Sequence, residues 1–156
     1  MVATTDVAAK VGMLIRRPAS DVFEAFVNPE ITTNFWFTKS TGRLDGDKHV
    51  RWDWEMYGAH SDVEVEALEP DDLIAIKWSG YGTPNRVEWR FTDRGDGTTY
   101  VEIENTGFSD ADGDVAEQAV SSTEGFAYTL AGAKAWLEHG TRLDLVPDKF
   151  PDQRPE

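Results

Sequence analysis

Residues 85–105 read NRVEWRFTDRGDGTTYVEIEN, and the alternation in this stretch decides the fold. Val87, Trp89 and Phe91 alternate with Arg86, Glu88 and Arg90. After Arg94-Gly95-Asp96-Gly97, Val101, Ile103 and Asn105 alternate with Tyr100, Glu102 and Glu104. A period of two sends the two sets to opposite faces of a strand. The glycines between the runs accept the positive φ that a tight hairpin demands. Strands joined by so short a turn pair antiparallel, because parallel neighbours need a long crossover. One face is apolar and the other charged, so one face must be covered and the other can meet water.

The same reading extends upstream. Val50, Trp52, Trp54 and Met56 alternate with Arg51, Asp53 and Glu55. Beyond a turn at Tyr57 to His60, Val63, Val65 and Ala67 alternate with Asp62, Glu64 and Glu66. Pro70, Asp71 and Asp72 make the next turn, Ile74, Ile76 and Trp78 share one face, and Gly80, Gly82 and Pro84 interrupt the chain again. A first strand is expected at Val11 to Arg16, ended by Pro18. Ser20 or Asp21 is expected to cap a short helix whose apolar face is Val22, Phe23, Phe26 and Val27. Pro29 breaks it, and a further short helical turn leads into Phe35, Trp36 and Phe37.

The cover for the sheet is the segment from Asp114 to His139. Val115, Ala119, Thr123, Phe126, Leu130, Ala133 and Leu137 recur at steps of three or four and form one stripe. Asp114 and Glu117 suit the positive end of a helix, and Gly140 its C-terminal stop. The tail after Pro147 carries Pro147, Pro151 and Pro155 and is expected on the surface or mobile. The expected fold class is α+β: six to seven antiparallel strands, two short N-terminal helices and one long C-terminal helix. A single domain is expected over 1–156, with its core in 7–140.

Composition narrows the function. Six Trp, eight Phe and four Tyr supply flat apolar surface for a core or a ligand cavity. The net charge of −14 opposes phosphate backbones and anionic lipid, so neither nucleic acid nor a membrane surface is an expected partner. No run approaches the ~20 apolar residues that span a bilayer. With no Cys there is no disulfide framework or thiolate metal site. Met1 to Lys10 lacks the basic start and apolar run of a signal peptide, and a cytoplasmic protein is expected.

The order of elements and several segments resemble the helix-grip fold of the START/Bet v 1-like (SRPBCC) superfamily. Within it, the chain resembles the bacterial branch related to the C-terminal domain of the Hsp90 ATPase activator Aha1. The segments are 15–26 through Asn28-Pro29-Glu30 to Phe35-Trp36, Val65 to Pro70, Val87-Glu88-Trp89 with Gly97-Thr98-Thr99, and Gly125-Phe126 through Ala133 to Gly140. The resemblance runs from Val7 to Gly140. It implies a pocket between the concave sheet face and the long helix, with the short helices closing one end. The residues pointed there are Trp52, Trp54, Met56, Trp78, Trp89, Phe91, Ile103, Phe126 and Leu130, with Phe35 and Trp36 at the mouth. Ala127, Ala131 and Gly132, small residues on the helix, are expected to leave volume unfilled. Asn105, Thr123 and Ser122 are the polar groups nearest the inward stripe, placed to satisfy an indole N–H or orient a ligand.

No acid–base set converges on this face. Glu64, Glu66, Glu102 and Glu104 alternate with the apolar stripe and belong to the wet face, where Arg51, Lys77, Arg86 and Arg90 can pair with them. His49, His60 and His139 lack metal-ligand spacing, and only His60 is a candidate polar group at the mouth. The glycine pairs do not stand between a strand and a helix as a phosphate loop requires. No catalytic residue, metal or cofactor is expected. The leading expectation is binding of a small apolar or aromatic molecule, a lipid or polyketide-like compound. A polyketide cyclase or hydrolase using the same pocket is the alternative. An Hsp90-type co-chaperone or stress-response role is the third reading; the chain lacks room for the activator's additional N-terminal domain, so no chaperone partner is expected. A homodimer fits the superfamily.

Overall fold

The computed structural model describes residues 7–79 and 82–153. Its strands are β1 (Ala9–Ile15), β2 (Lys39–Ser40), β3 (His49–Trp54), β4 (Ala59–Glu69), β5 (Leu73–Ser79), β6 (Asn85–Asp93) and β7 (Thr99–Thr106). They form one antiparallel sheet in the order β1-β7-β6-β5-β4-β3-β2. The hairpin read from residues 85–105 is present, with Trp89 opposite Ile103 and Phe91 opposite Val101. Its turn closes through the Arg94 amide donating to the Thr98 carbonyl at 3.1 Å, with Gly95 and Gly97 both at positive φ. This is the α+β helix-grip architecture that the sequence led us to expect.

Two local details differ from the alternation read in the sequence. β3 ends at Trp54, and Glu55–Tyr57 turn into a 3₁₀ helix, so Met56 leaves the strand stripe. β4 has a bulge between Val65 and Ala67, so Leu68 rather than Ala67 continues the inner face opposite Ile74. An extra residue in one strand reverses the facing of everything after it.

Among the described residues four α-helices accompany the sheet: α1 (Ala19–Val27), α2 (Pro29–Thr32), α3 (Val115–His139) and α4 (Leu145–Lys149). Ser20 and Asp21 do not cap α1. The helix begins earlier, and the extended Pro18 accepts through its own carbonyl from the Asp21 and Val22 amides at 3.0 and 3.2 Å. Asn28 instead caps α2, its Oδ1 accepting from the Glu30 amide at 3.0 Å, and Pro29 opens that helix at a position where no N–H is needed. α3 ends where Gly140 turns left-handed, at φ 62°. In the tail, Pro147 is the third residue of α4, still within the first turn.

α3 lies along β1 and reaches β7, while α1 packs on β6. The C-terminal end of α3 is bolted down. Lys134 donates to the Leu14 carbonyl at 2.7 Å, and Glu138 accepts from the Arg16 amide at 2.8 Å. Under α1, Phe23, Phe26, Phe35, Trp89 and Phe91 form a closed aromatic core. On the outer face Lys10 pairs with Glu102 at 3.5 Å, Arg86 with Glu66 at 3.8 Å and Lys48 with Glu64 at 3.8 Å. Such exposed pairs contribute only about 0–1 kcal/mol each.

Candidate functional site

Because α3 leans on the β1 side of the sheet, its N-terminal half stands away from β3, β4 and β5. A cleft of about 910 Å³ opens there. Its wall is aromatic. Trp78 stacks on Phe126 at 5.7 Å and 28°, Trp36 lies 5.8 Å from Phe126, and Trp54 lies 5.8 Å from Trp36. Gly125 also lines the cleft, and a Cβ built on it would meet nothing within 4 Å. Gly125 is exposed, so this helical position has room for a side chain.

A short polar chain crosses the floor. Ser122 Oγ donates to Asn105 Oδ1 at 2.8 Å, and Asn105 Nδ2 donates to Asn85 Oδ1 and to the Arg86 carbonyl, both at 2.7 Å. The Trp78 indole N–H also donates to Asn85 Oδ1, at 2.7 Å. Asn105 is 2% exposed, so these bonds offset the cost of burying its amide. Trp89 contrasts with Trp78: its buried Nε1 has no hydrogen-bond partner among the described residues.

The rim is acidic. Asp112, Asp114, Glu117 and Glu124 border the cleft, against Lys149 and His60. Glu124 forms an ion pair with Lys149 and holds its ammonium above the ordinary lysine value. Asp112 accepts from the Thr83 amide at 2.9 Å. α4 and the residues after it close the far side as a strap. The Tyr57 hydroxyl donates to the Val146 carbonyl and accepts from the Phe150 amide at 3.3 Å. Lys149 lies 5.6 Å from the Tyr128 ring centroid and 5.1 Å from that of Phe150.

Of the residues expected at a pocket, Trp36, Trp54, Trp78, Asn105, Phe126 and His60 line this cleft. Trp52, Trp89, Phe91, Ile103 and Leu130 do not; each is at most 3% exposed and packed in the closed core. Phe35 and Met56 border instead a void of about 30 Å³ beneath α4. Thr123 turns its hydroxyl back to the Ala119 carbonyl at 2.7 Å. Ala127 is exposed, and Gly132 faces Phe35 at close quarters, so neither opens the cleft. His60 pairs in register with Asp53, on the opposite face from Ser61, and reaches the cleft only at its edge. His49 and His139 are exposed.

Asn85, Tyr57, Phe108, Tyr128, Lys149 and Phe150 line the cleft without having been singled out. Asn85 was accessible to the pattern: stepping back by two from Phe91, Trp89 and Val87 lands on it. A second depression, about 550 Å³, lies on the outer sheet face among Arg51, Asp62, Glu64 and Lys77. It is a groove among solvated charges. Among the described residues there is no group of three His, Cys, Asp or Glu able to hold a metal, and no helix long and apolar enough to cross a membrane.

No curated protein matches the sequence. Solved structures do. The protein SSP2350 from Staphylococcus saprophyticus is 30% identical with a TM-score of 0.74, covering 88% of this chain and 96% of its own. DynU16, from the dynemicin biosynthetic locus, is 21% identical with a TM-score of 0.76; the match covers 86% of this chain and 48% of DynU16. The Aha1 dimer from Colwellia psychrerythraea is 14% identical with a TM-score of 0.73, covering 86% of this chain and 98% of that one. The last two likenesses speak for the fold alone. The family model described as Activator of Hsp90 ATPase homolog 1-like protein matches residues 16–138, most of the chain and all of the sheet after β1, and the chain belongs to that family.

Proposed function

We propose that this protein binds a small apolar molecule with a flat aromatic body in the cleft between α3 and strands β3 to β6. The observation that carries this reading is the Trp78–Phe126 wall facing open volume beside Gly125. Ligand pockets of ~300–1,000 Å³ with mostly apolar walls and a few placed polar groups are the usual form of such sites. The polar groups on the floor, Ser122, Asn85 and Asn105, are hydrogen-bonding and uncharged, suited to orienting a molecule rather than moving its protons. The acidic rim repels carboxylates, which favours a neutral or cationic ligand over a fatty acid. The place of DynU16, a neighbour in fold, in a biosynthetic locus is in keeping with a natural-product ligand.

The test is calorimetric titration and thermal shift with neutral polycyclic aromatic compounds, using the intact protein and Gly125→Leu. Leucine favours the helix and projects into open space, so the fold is retained while the part of the cleft beside Gly125 is obstructed. Saturation at a hundredfold excess over Kd adds about 2.7 kcal/mol of stability, which the substitution should abolish. Binding that survives Gly125→Leu undiminished, or no binding by the wild type to any such compound, sinks the reading.

A further inference from the structure

We propose that the Asn85 side-chain amide is the donor that fixes a carbonyl oxygen of the bound molecule, so that the ligand class is a planar aromatic ketone or quinone. This rests on the cleft being the binding site. The argument begins with the Trp78 indole, which can only donate. The Asn85 atom 2.7 Å from Trp78 Nε1 must therefore be oxygen, and the amide has one permitted orientation. Asn105 agrees, because its own orientation is set independently. Its nitrogen reaches the Arg86 carbonyl at 2.7 Å, so the same nitrogen donates to Asn85.

The consequence falls on the other half of the Asn85 amide. Oδ1 accepts two hydrogen bonds, while Nδ2 donates to no acceptor among the described residues. Asn85 is half-buried, shares the inner face with Trp78 opposite it, and lines the cleft. Two N–H bonds are thus held in a fixed direction beside the Trp78–Phe126 wall. In the free protein water satisfies them; a ligand oxygen that replaces this water recovers the bond. A carbonyl attached to a flat ring accepts in the plane of that ring, which lets the ring lie along the wall while its oxygen meets Asn85. A carboxylate would accept as well, but it must pass Asp112, Asp114 and Glu117.

The experiment is calorimetric titration of the intact protein with fluorenone, fluorene and a fluorenone carboxylate. The first two differ only in a carbonyl against a methylene. Fluorenone should bind about five- to tenfold more tightly than fluorene, and the carboxylate more weakly than fluorenone. In Asn85→Asp an oxygen still accepts from Trp78 and Asn105 while both donors are gone, and the preference for fluorenone should vanish. The Asn85 side-chain amide signals, identified by NMR through their loss in that variant, should shift with fluorenone and stay in place with fluorene. Equal binding of the two by the wild type, or a preference kept by Asn85→Asp, overturns the assignment but leaves the cleft as a site. Failure of the wild type to bind either compound overturns the assignment, and failure to bind any neutral polycyclic aromatic compound overturns the cleft as a site as well. Were Asn85→Asp to misfold, the wild-type comparison alone decides.

Discussion

Replacing Glu138 by Gln removes one charge from the bolt that fixes α3 to the sheet, and the structure allows its effect to be worked out. The Glu138 side chain is only 7% exposed, and its Oε2 lies 2.6 Å from Lys134 Nζ and 2.8 Å from the Arg16 amide. Burial pushes this carboxyl up. The hydrogen bonds and charge of Lys134, together with the Arg16 N–H, outweigh it and hold the pKa below the ordinary 4.5. A hydrogen bond to a charged group contributes about 1.5–3 kcal/mol, and breaking a fully buried pair costs about 3–5 kcal/mol. Two features reduce the loss here. Lys134 is 32% exposed and can recover water, and glutamine keeps an oxygen for Arg16. A loss of about 1.5–2 kcal/mol at neutral pH follows, or about 3–8 °C in Tm for a chain of this size. A carboxyl with a lowered folded pKa contributes fully above its unfolded value, and that contribution fades as pH falls through the folded value. Scanning calorimetry of wild type and Glu138→Gln from neutral pH down the acid limb should therefore show the gap closing below pH 4.5. A gap that stays constant as the carboxyl protonates would refute the reasoning.

Two glycines of α3 should respond with opposite sign to the same substitution. A Cβ on Gly132 would stand 3.1 Å from Phe35 Cβ and 3.3 Å from its carbonyl oxygen, so Gly132→Ala should destabilise by about 0.5–2 kcal/mol despite the helix gain. Gly125 has open space, and Gly125→Ala should stabilise by about 0.5–1 kcal/mol; denaturant midpoints measure both. Tyr57→Phe deletes the hydroxyl that joins the 3₁₀ turn to Val146, Pro147 and Phe150. Amides of residues 145–150 should then exchange faster, while global stability changes by no more than about 1 kcal/mol. Unchanged exchange would mean the strap is held by its ion pair and ring contacts instead.

The sheet and α3 were legible because their information is local and repeated. Each strand declares its inner face several times over, and the stripe from Val115 to Leu137 does so across the whole helix. What failed to show was set by single positions. Nothing in Glu55-Met56-Tyr57 announces that the strand gives way to a 3₁₀ turn, so Met56 reads in one stripe with Trp52 and Trp54. The bulge beside Val65 leaves the sequence pattern looking regular, although it moves Leu68 onto the inner face. The cleft was harder still. Whether an inward aromatic meets open volume or another ring depends on where α3 lands, and it lands toward β1. Trp78 and Trp89 therefore read alike in sequence, yet one lines the cleft and the other is sealed at 1% exposure. The strap residues Lys149 and Phe150 face Tyr57 from far along the chain, and no local pattern foretells that meeting.

The crowding of indoles around Trp36 has an optical consequence. Trp52, Trp54, Trp78 and Trp89 stand with ring centroids 5.0, 5.8, 6.1 and 6.0 Å from it. At such separations excitation migrates from ring to ring faster than it is emitted, so these five behave as one pooled chromophore. Trp136 makes no such ring contact among the described residues. Light absorbed deep in the core at Trp89 or Trp52 can thus be extinguished by a molecule lying against Trp78. Occupancy of the cleft should dim most of the protein's ultraviolet emission.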